Sequence, residues 1–148
     1  RVPWLRPIVE LAIATAMRRG EILALEWQHV HLEERYVHLP ETKNGESRNV
    51  PLSTKAVAIL ATLKGDDEPE GRVFDVSANA FKLAWVRAVK RAKLEDFHFH
   101  DLRHEGTSRI AEKLSNVLEL SSVTGHKDLQ MLKRYYHPRP GDIAAKLG

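Results

Sequence analysis

The sequence has no cysteine among its 148 residues, so neither a disulfide nor a thiolate metal site can be part of the fold. This absence fits a reducing compartment. No apolar run approaches the eighteen residues that a membrane span needs, and there is no signal peptide, internal repeat or low-complexity tract. We therefore expect a cytoplasmic protein without a membrane partner, whose length suits one domain with its own core.

The sequence also lacks a large net charge of either sign. Lysine and arginine together number 23 against 20 acidic residues, a formal charge of +3, which permits nucleic-acid binding without requiring it. The helix predicted from Ala78 to Lys93, however, carries five basic residues and no acidic one. Such a face repels itself unless something anionic lies against it, so we expect it to bind the DNA backbone through Lys82, Arg87, Lys90 and Arg91. A solvated charged face is the alternative interpretation.

The hydrophobic periodicity indicates a mainly helical α+β fold with a small antiparallel β-hairpin or sheet. Trp4 to Ala16 is apolar on nearly every side and predicts a buried central helix. The period changes to two at Tyr36–Leu39 and again at Arg48–Leu52, on either side of the turn Lys43-Asn44-Gly45. Further helices are predicted at 21–26, 55–64, 78–93, 100–114, 117–123, 129–136 and 142–148.

A basic cluster opens the helix that begins near His100. In a helix His100, Arg103 and His104 share one face, which puts a planar cation beside titratable imidazoles. This combination suits a site that binds phosphate oxygens and moves protons. Two alternatives exist: zinc bound by His98, His100 and His104, or a plain helix start in which Asp101 offsets the helix dipole.

A second charged group lies between two apolar helices, at Arg18 and Glu21. A charge in such a position is partly buried and needs a partner. Glu21, three residues from Arg18, could hold that guanidinium in place for an anionic ligand. The alternative is an ordinary surface ion pair.

Four motifs in order carry a family resemblance. They are Thr15-Ala16-Met17-Arg18-Arg19-Gly20-Glu21, Thr42-Lys43-Asn44-Gly45, His100-x-x-Arg103-His104, and Gly125-His126-Lys127 with Arg134-Tyr135-Tyr136-His137. Together they resemble the tyrosine recombinase (phage integrase) family, from about Trp4 to about Asp142. The resemblance implies that residues 1–148 form the catalytic domain and that the family's N-terminal core-binding domain is absent from this chain. The family usually has glycine where Ala16 stands, so we expect a slightly altered turn there.

The resemblance also implies roles for individual residues. Arg18 and Arg103 would clamp the scissile phosphate, Lys43 would protonate the leaving oxygen, and His126 would donate to a non-bridging oxygen. Tyr135 would be the nucleophile, with His100 accepting from it or orienting it. Tyr135 is preferred to Tyr136 because it lies nine residues after His126 and two before His137. Asn44 and Arg48 would contact backbone phosphates.

The function implied is site-specific DNA recombination or integration through a 3′-phosphotyrosyl intermediate, without metal or other cofactor. The partner would be double-stranded DNA carrying attachment sites, bound by a homotetramer of the full-length protein whose tail helix docks on a neighbouring subunit. The enzyme would be bacterial or phage-encoded and nucleoid-associated. One alternative is type IB topoisomerase activity, which shares the phosphotyrosine chemistry. Another, of a different class, is a non-catalytic DNA-binding module.

Overall fold

The computed structural model describes residues 2–40 and 46–148. Its helices are α1 (Leu5–Thr15), α2 (Arg19–Ala24), α3 (Thr54–Lys64), α4 (Ala78–Arg91), α5 (Phe99–Lys113), α6 (Val117–Thr124) and α7 (Pro140–Leu147). Its strands are β1 (Val30–His31), β2 (Tyr36–Leu39) and β3 (Arg48–Pro51), and short 3-10 turns span Trp27–His29 and Leu129–Leu132. The prediction of a mainly helical α+β fold with a small antiparallel sheet is confirmed.

Helix α1 is the centre of the fold, as its apolar sequence predicts. Ile8, Leu11 and Ala12 are fully or almost fully buried, and the helix contacts α2, α3, α4 and α5. It approaches α5 closely at Gly106, where a Cβ would lie 2.6 Å from the Ile13 carbonyl oxygen. The two helices therefore pack backbone against backbone at this point, which sets how α5 lies relative to the end of α1.

The end of α1 is a left-handed turn at Ala16, with φ 58° and ψ 20°. Such a conformation costs a residue with a Cβ about 1–2 kcal/mol, which a glycine would avoid. Alanine nevertheless keeps the turn, and the buried Thr15 hydroxyl supports it by accepting a hydrogen bond from the Met17 N–H at 3.2 Å. The turn brings Arg18 to the start of α2.

The sheet has three antiparallel strands in the order β1-β2-β3. In the β2–β3 pair Val37 lies opposite Val50, and both are completely buried, as the alternating pattern predicts. The two-residue strand β1 was not predicted, because two residues are too few to show a period. The predicted turn Lys43-Asn44-Gly45, and with it the candidate residues Lys43 and Asn44, lies outside the described residues.

Helix boundaries follow the predicted capping residues in most places. Side chains of Ser53, Ser77 and Asn116 accept backbone N–H groups at the starts of α3, α4 and α6, and Gly125 ends α6 with φ 77°. The predicted helix from Leu129 to Tyr136 is wrong: Asp128 caps only a 3-10 turn that ends at Leu132. Leu132 is the only buried residue of that turn, so little burial of apolar surface stabilises helical structure there.

Candidate active site

Arg103 is the most enclosed charged residue of the site, with only 3 % of its surface exposed. Its guanidinium donates to the carbonyl of Ala16, at the end of α1, and to the carbonyl of Thr124, at the end of α6, the latter at 2.7 Å. Burial, followed by the neighbouring charge of Arg18, lowers the pKa of Arg103 to about 10, so the side chain remains a cation at neutral pH. Main-chain carbonyls thus fix this cation and leave its other N–H groups available.

Glu21 links Arg18 to a further arginine. Its carboxylate accepts the backbone N–H of Arg18 at 2.8 Å and lies 3.6 Å from the Arg18 guanidinium. It also accepts two hydrogen bonds from the Arg48 guanidinium, at 2.5 and 3.0 Å. Burial raises the pKa of Glu21, but the hydrogen bonds from Arg48 and Arg18 and the charges of both arginines outweigh burial and lower it, so the group is a carboxylate.

Arg48 is a structural partner of the site in this arrangement, whereas the sequence suggested a contact to DNA phosphates. Only 11 % of its side chain is exposed, and its Nε donates to the Val123 carbonyl at 3.4 Å. A Cβ on Gly125 would lie 2.7 Å from Arg48 Nη1, so glycine is needed there for space as well as for its positive φ. Arg48 therefore ties β3 to α2 and to the turn that carries His126.

His126 lies on the turn after α6, half-buried. Its Nδ1 is 2.7 Å from the hydroxyl of Thr124, a completely buried residue, and that hydroxyl also accepts the His126 N–H at 3.4 Å. Burial and then the charges of Arg103, Arg18 and Arg48 lower the pKa of His126 to about 4, so the imidazole is neutral at pH 7. If the Thr124 hydroxyl donates to Nδ1, the proton of the neutral ring lies on Nε2, which can then donate to a ligand.

Tyr135 follows the 3-10 turn, and its hydroxyl is hydrogen-bonded to Nδ1 of His104. The two rings are stacked, with centroids 6.3 Å apart, and the guanidinium carbon of Arg134 lies 5.5 Å from the centroid of the Tyr135 ring. Burial raises the pKa of Tyr135, against the charges of Arg134 and Arg103, which lower it. The phenol is therefore protonated at neutral pH.

His100 is exposed, and its ring meets the His104 ring edge to face with centroids 4.8 Å apart. Burial, then the charges of His104 and Arg103, lower its pKa. An open groove of about 740 Å³ runs beside it. Its lining includes Arg18, Arg19, Glu21, Lys82, His98, His100 and Arg103.

The structure thus brings together most of the residues that the sequence singled out. Arg18, Glu21, Arg103, His100, His126 and Tyr135 belong to one site, since Arg18 and Arg103 influence the pKa of His126 and Arg103 also that of Tyr135. Sequence reasoning missed the roles of His104 and Thr124. His104 could have been found from its motif, because it shares a helix face with His100; Thr124 gave no signal.

The predicted backbone-binding residues of α4 lie on its surface. Lys82, Arg87, Lys90 and Arg91 are all exposed, whereas Phe81 and Ala84 face the core. Lys82 also lines the groove that holds Arg18 and Arg103. The basic side chains of α4 thus begin at the groove with Lys82 and continue along the exposed side of the helix.

The zinc alternative finds no support in the part of the chain that the structure describes, which has no group of three or more His, Cys, Asp or Glu side chains arranged to hold a metal ion. The nearest carboxylates to His98 belong to Asp96 and Asp101, at 3.6 and 3.9 Å. Among the described residues no helix has both the length and the apolar character to cross a membrane.

Comparison with known proteins identifies the family. The model of the phage integrase family matches residues 3–141, so the chain belongs to that family. The shufflon-specific DNA recombinase of Escherichia coli is 50 % identical over 141 residues, which cover 95 % of this chain and 36 % of that protein. The chain thus spans about a third of the length of this relative.

Solved structures agree with this membership. The catalytic domain of bacteriophage HP1 integrase is 28 % identical, with a TM-score of 0.74, and the match covers 99 % of this chain and 82 % of that one. The Tn1549 transposon integrase in complex with circular intermediate DNA has a TM-score of 0.75 at 17 % identity, over 96 % of this chain and 56 % of that one, and so shares the fold.

Proposed function

We propose that this chain is the catalytic domain of a site-specific DNA recombinase that cleaves and rejoins one strand at a time through Tyr135. The observation that carries the proposal is the positive charge around Glu21, whose carboxylate lines the groove. Three arginines, Arg18, Arg48 and Arg103, surround one carboxylate, that of Glu21, which leaves an excess of two positive charges. Such an excess of positive charge can bind the negative charge of a phosphodiester and stabilise the further negative charge that develops in the transition state.

Arg18 supports a phosphate ligand in particular. Its Nη1 is buried and, among the described residues, is the only buried side-chain nitrogen or oxygen without a hydrogen-bond partner. This nitrogen lies 3.6 Å from Oε2 of Glu21, so the carboxylate holds the Arg18 guanidinium beside the groove that Arg18 lines. Arg103 lines the same groove and has N–H groups left after its two carbonyl bonds, so the two guanidiniums could hold one phosphate together.

In the proposed reaction Tyr135 attacks the phosphorus, forms a 3′-phosphotyrosyl bond and displaces the 5′ oxygen. His126, neutral with its proton on Nε2, donates to a non-bridging oxygen. The departing 5′ oxygen takes a proton from Lys43, whose role stays a prediction from the family resemblance. The phosphotyrosyl bond keeps the energy of the broken phosphodiester, so rejoining by the reverse steps needs neither metal nor nucleotide.

Double-stranded DNA would lie across the groove and along the basic face of α4. The exposed side chains of Lys82, Arg87, Lys90 and Arg91 would contact backbone phosphates. Asn44 lies outside the described residues, and its contact to a phosphate stays a prediction. Arg48 is not included among the proposed phosphate contacts, because its guanidinium is bound to Glu21. The Tn1549 integrase, whose fold is shared, is a DNA complex, which supports this choice of partner.

In the full-length protein we expect four copies to assemble on two attachment sites, in a bacterial or phage-infected cell at the nucleoid. The name of the Escherichia coli relative favours recombination over topoisomerase activity. Nothing observed favours a non-catalytic module.

Covalent trapping tests the function directly. A pool of nicked suicide duplexes, prepared from the DNA around the gene, is incubated with the full-length protein, and the adduct is digested and mapped by mass spectrometry. We expect the DNA to be covalently attached to Tyr135. Tyr135→Phe should abolish the adduct and keep DNA binding, and Tyr136→Phe, the matched control, should retain it; an adduct on Tyr136 would contradict the assignment.

A further inference from the structure

The hydroxyl of Tyr135 has a specific partner that the family resemblance did not supply. Among the described residues the hydrogen bond of this hydroxyl goes to Nδ1 of His104, and the two rings stack. His100, which the family resemblance expected to accept from Tyr135 or to orient it, instead meets the ring of His104 edge to face. His100 and His104 therefore share one face of α5, and His104 is the one of the two that contacts the nucleophile.

We propose that His104 is a catalytic residue of the reaction, the base that takes the phenolic proton of Tyr135. This inference rests on the proposed function. The Tyr135 O–H bond breaks and its proton moves to Nδ1, while the oxygen lone pair forms the bond to phosphorus. The P–O5′ bond breaks and its electron pair goes to the 5′ oxygen. In the rejoining step the protonated His104 returns its proton to the tyrosine oxygen as that oxygen leaves phosphorus.

The geometry gives this role to one nitrogen and one tautomer. Nδ1 can accept a proton only when the ring proton is on Nε2. A phenol with a raised pKa is a poor nucleophile at pH 7 without a base, and His104 contacts the reacting oxygen itself. Arg134 lies over the tyrosine ring, where its charge favours the phenolate that forms.

The surroundings of His104 keep it able to accept a proton. Burial, followed by the charge of Arg134, lowers its pKa, and Asp101 partly offsets this effect. The titratable and charged groups that face it come from α5, from the turn after α6 and from the segment after the 3-10 turn: His100, Asp101, Arg103, His126, Arg134 and Tyr135. Most of them are cations or neutral rings, so the free imidazole is the favoured form at neutral pH.

Two substitutions separate proton transfer from positioning. In His104→Asn the amide oxygen can occupy the place of Nδ1 and still accept the tyrosine hydrogen bond, but it cannot take up the proton. His104→Ala removes the ring and leaves space beside Tyr135 for imidazole added to the buffer. His100→Asn is the matched variant one helical turn away on the same face.

The measurement is the single-turnover rate of Tyr135 adduct formation by the full-length protein, from about pH 5 to about pH 9, a range that spans the titration of an imidazole. In the wild type the rate should fall as pH drops through the pKa of His104, because the protonated ring cannot act as base. Both His104 variants should lose this acidic limb and be slower by about a hundredfold or more at pH 7, as expected for loss of a general base. Imidazole should restore the rate of the His104→Ala variant. The rate of the His100→Asn variant should still fall at acidic pH, as in the wild type.

Two results would overturn the inference. One is a His104→Asn protein with the rate and pH profile of the wild type; the other is loss of the acidic limb in His100→Asn and not in His104→Asn. Circular dichroism and DNA affinity identify a variant that has not folded, and failure of imidazole to rescue a folded His104→Ala would also count against a base. A wild-type protein that forms no adduct on Tyr135 would instead overturn the proposed function.

Discussion

Gly106→Ala is predicted to destabilise the protein, although alanine is ordinarily the better residue in a helix. The new Cβ would lie 2.6 Å from the Ile13 carbonyl oxygen and 3.0 Å from that of Ala12. Both contacts are to backbone, so no side chain can turn away to relieve them. Helix α5 would have to move away from α1 by several tenths of an ångström.

The magnitude follows from two opposing effects. Overpacking of a close contact costs about 1–3 kcal/mol, while exchanging glycine for alanine within a helix gains up to about 1 kcal/mol. Because the clash involves rigid backbone, we expect the first effect to prevail by about 1–2 kcal/mol in the free energy of unfolding. The displacement would also move Arg103 relative to the carbonyl of Ala16, so adduct formation should slow as well.

Urea unfolding followed by circular dichroism measures this change, and Gly20→Ala is the matched control. Gly20 lies in α2 with nothing within 4 Å of its added Cβ, so that variant should be neutral or slightly more stable. A Gly106→Ala protein as stable as the wild type, or more stable, would refute the close packing of α1 on α5.

Three further predictions concern the site. Thr124→Val removes the hydroxyl beside Nδ1 of His126 and should slow adduct formation by about fivefold, with DNA affinity unchanged, because one hydrogen bond is worth about 1 kcal/mol; Ser at this position should restore the rate. Since the pKa of His126 is lowered from 6.5 to about 4, the unfolded chain binds the extra proton between these values, so stability should fall as pH decreases through this window. The stability of the His126→Gln variant, measured by urea unfolding at several pH values, should fall less steeply as pH decreases. Equal slopes for the two proteins would contradict the lowered pKa. Lys43→Ala should be severely slow on ordinary DNA but much less so on a 5′-bridging phosphorothiolate, whose sulfur leaves without a proton; equal losses would remove Lys43 from the acid role.

Sequence patterns predicted the helices and the hairpin because caps and periodicity are local. Ser53, Ser77 and Asn116 begin helices where expected, and the alternation around Val37 and Val50 indicated the buried face of the sheet. The helix predicted after Asp128 was wrong because a capping residue does not reveal how much apolar surface the following turn can bury.

The site was predictable as a set of residues but not as a set of contacts. Arg48 binds Glu21 from a position 27 residues away, and local spacing contains no information on such a pair. His100 and His104 are equivalent in a helical projection. Which of them contacts Tyr135 depends on the path of the chain after α6, which the sequence did not reveal.

The support of Arg103 by the carbonyls of Ala16 and Thr124 has a consequence for how such a site can evolve. Every residue type supplies a carbonyl, so Arg103 itself does not restrict the side chains at these two positions, provided that the left-handed turn at position 16 is kept. The side chain of Thr124 is needed separately, for its hydrogen bond to His126. An insertion or deletion in either turn would redirect the carbonyl of that turn and remove one of the two supports of Arg103. Natural variation should therefore tolerate an exchanged side chain at position 16 more readily than an altered length of either turn.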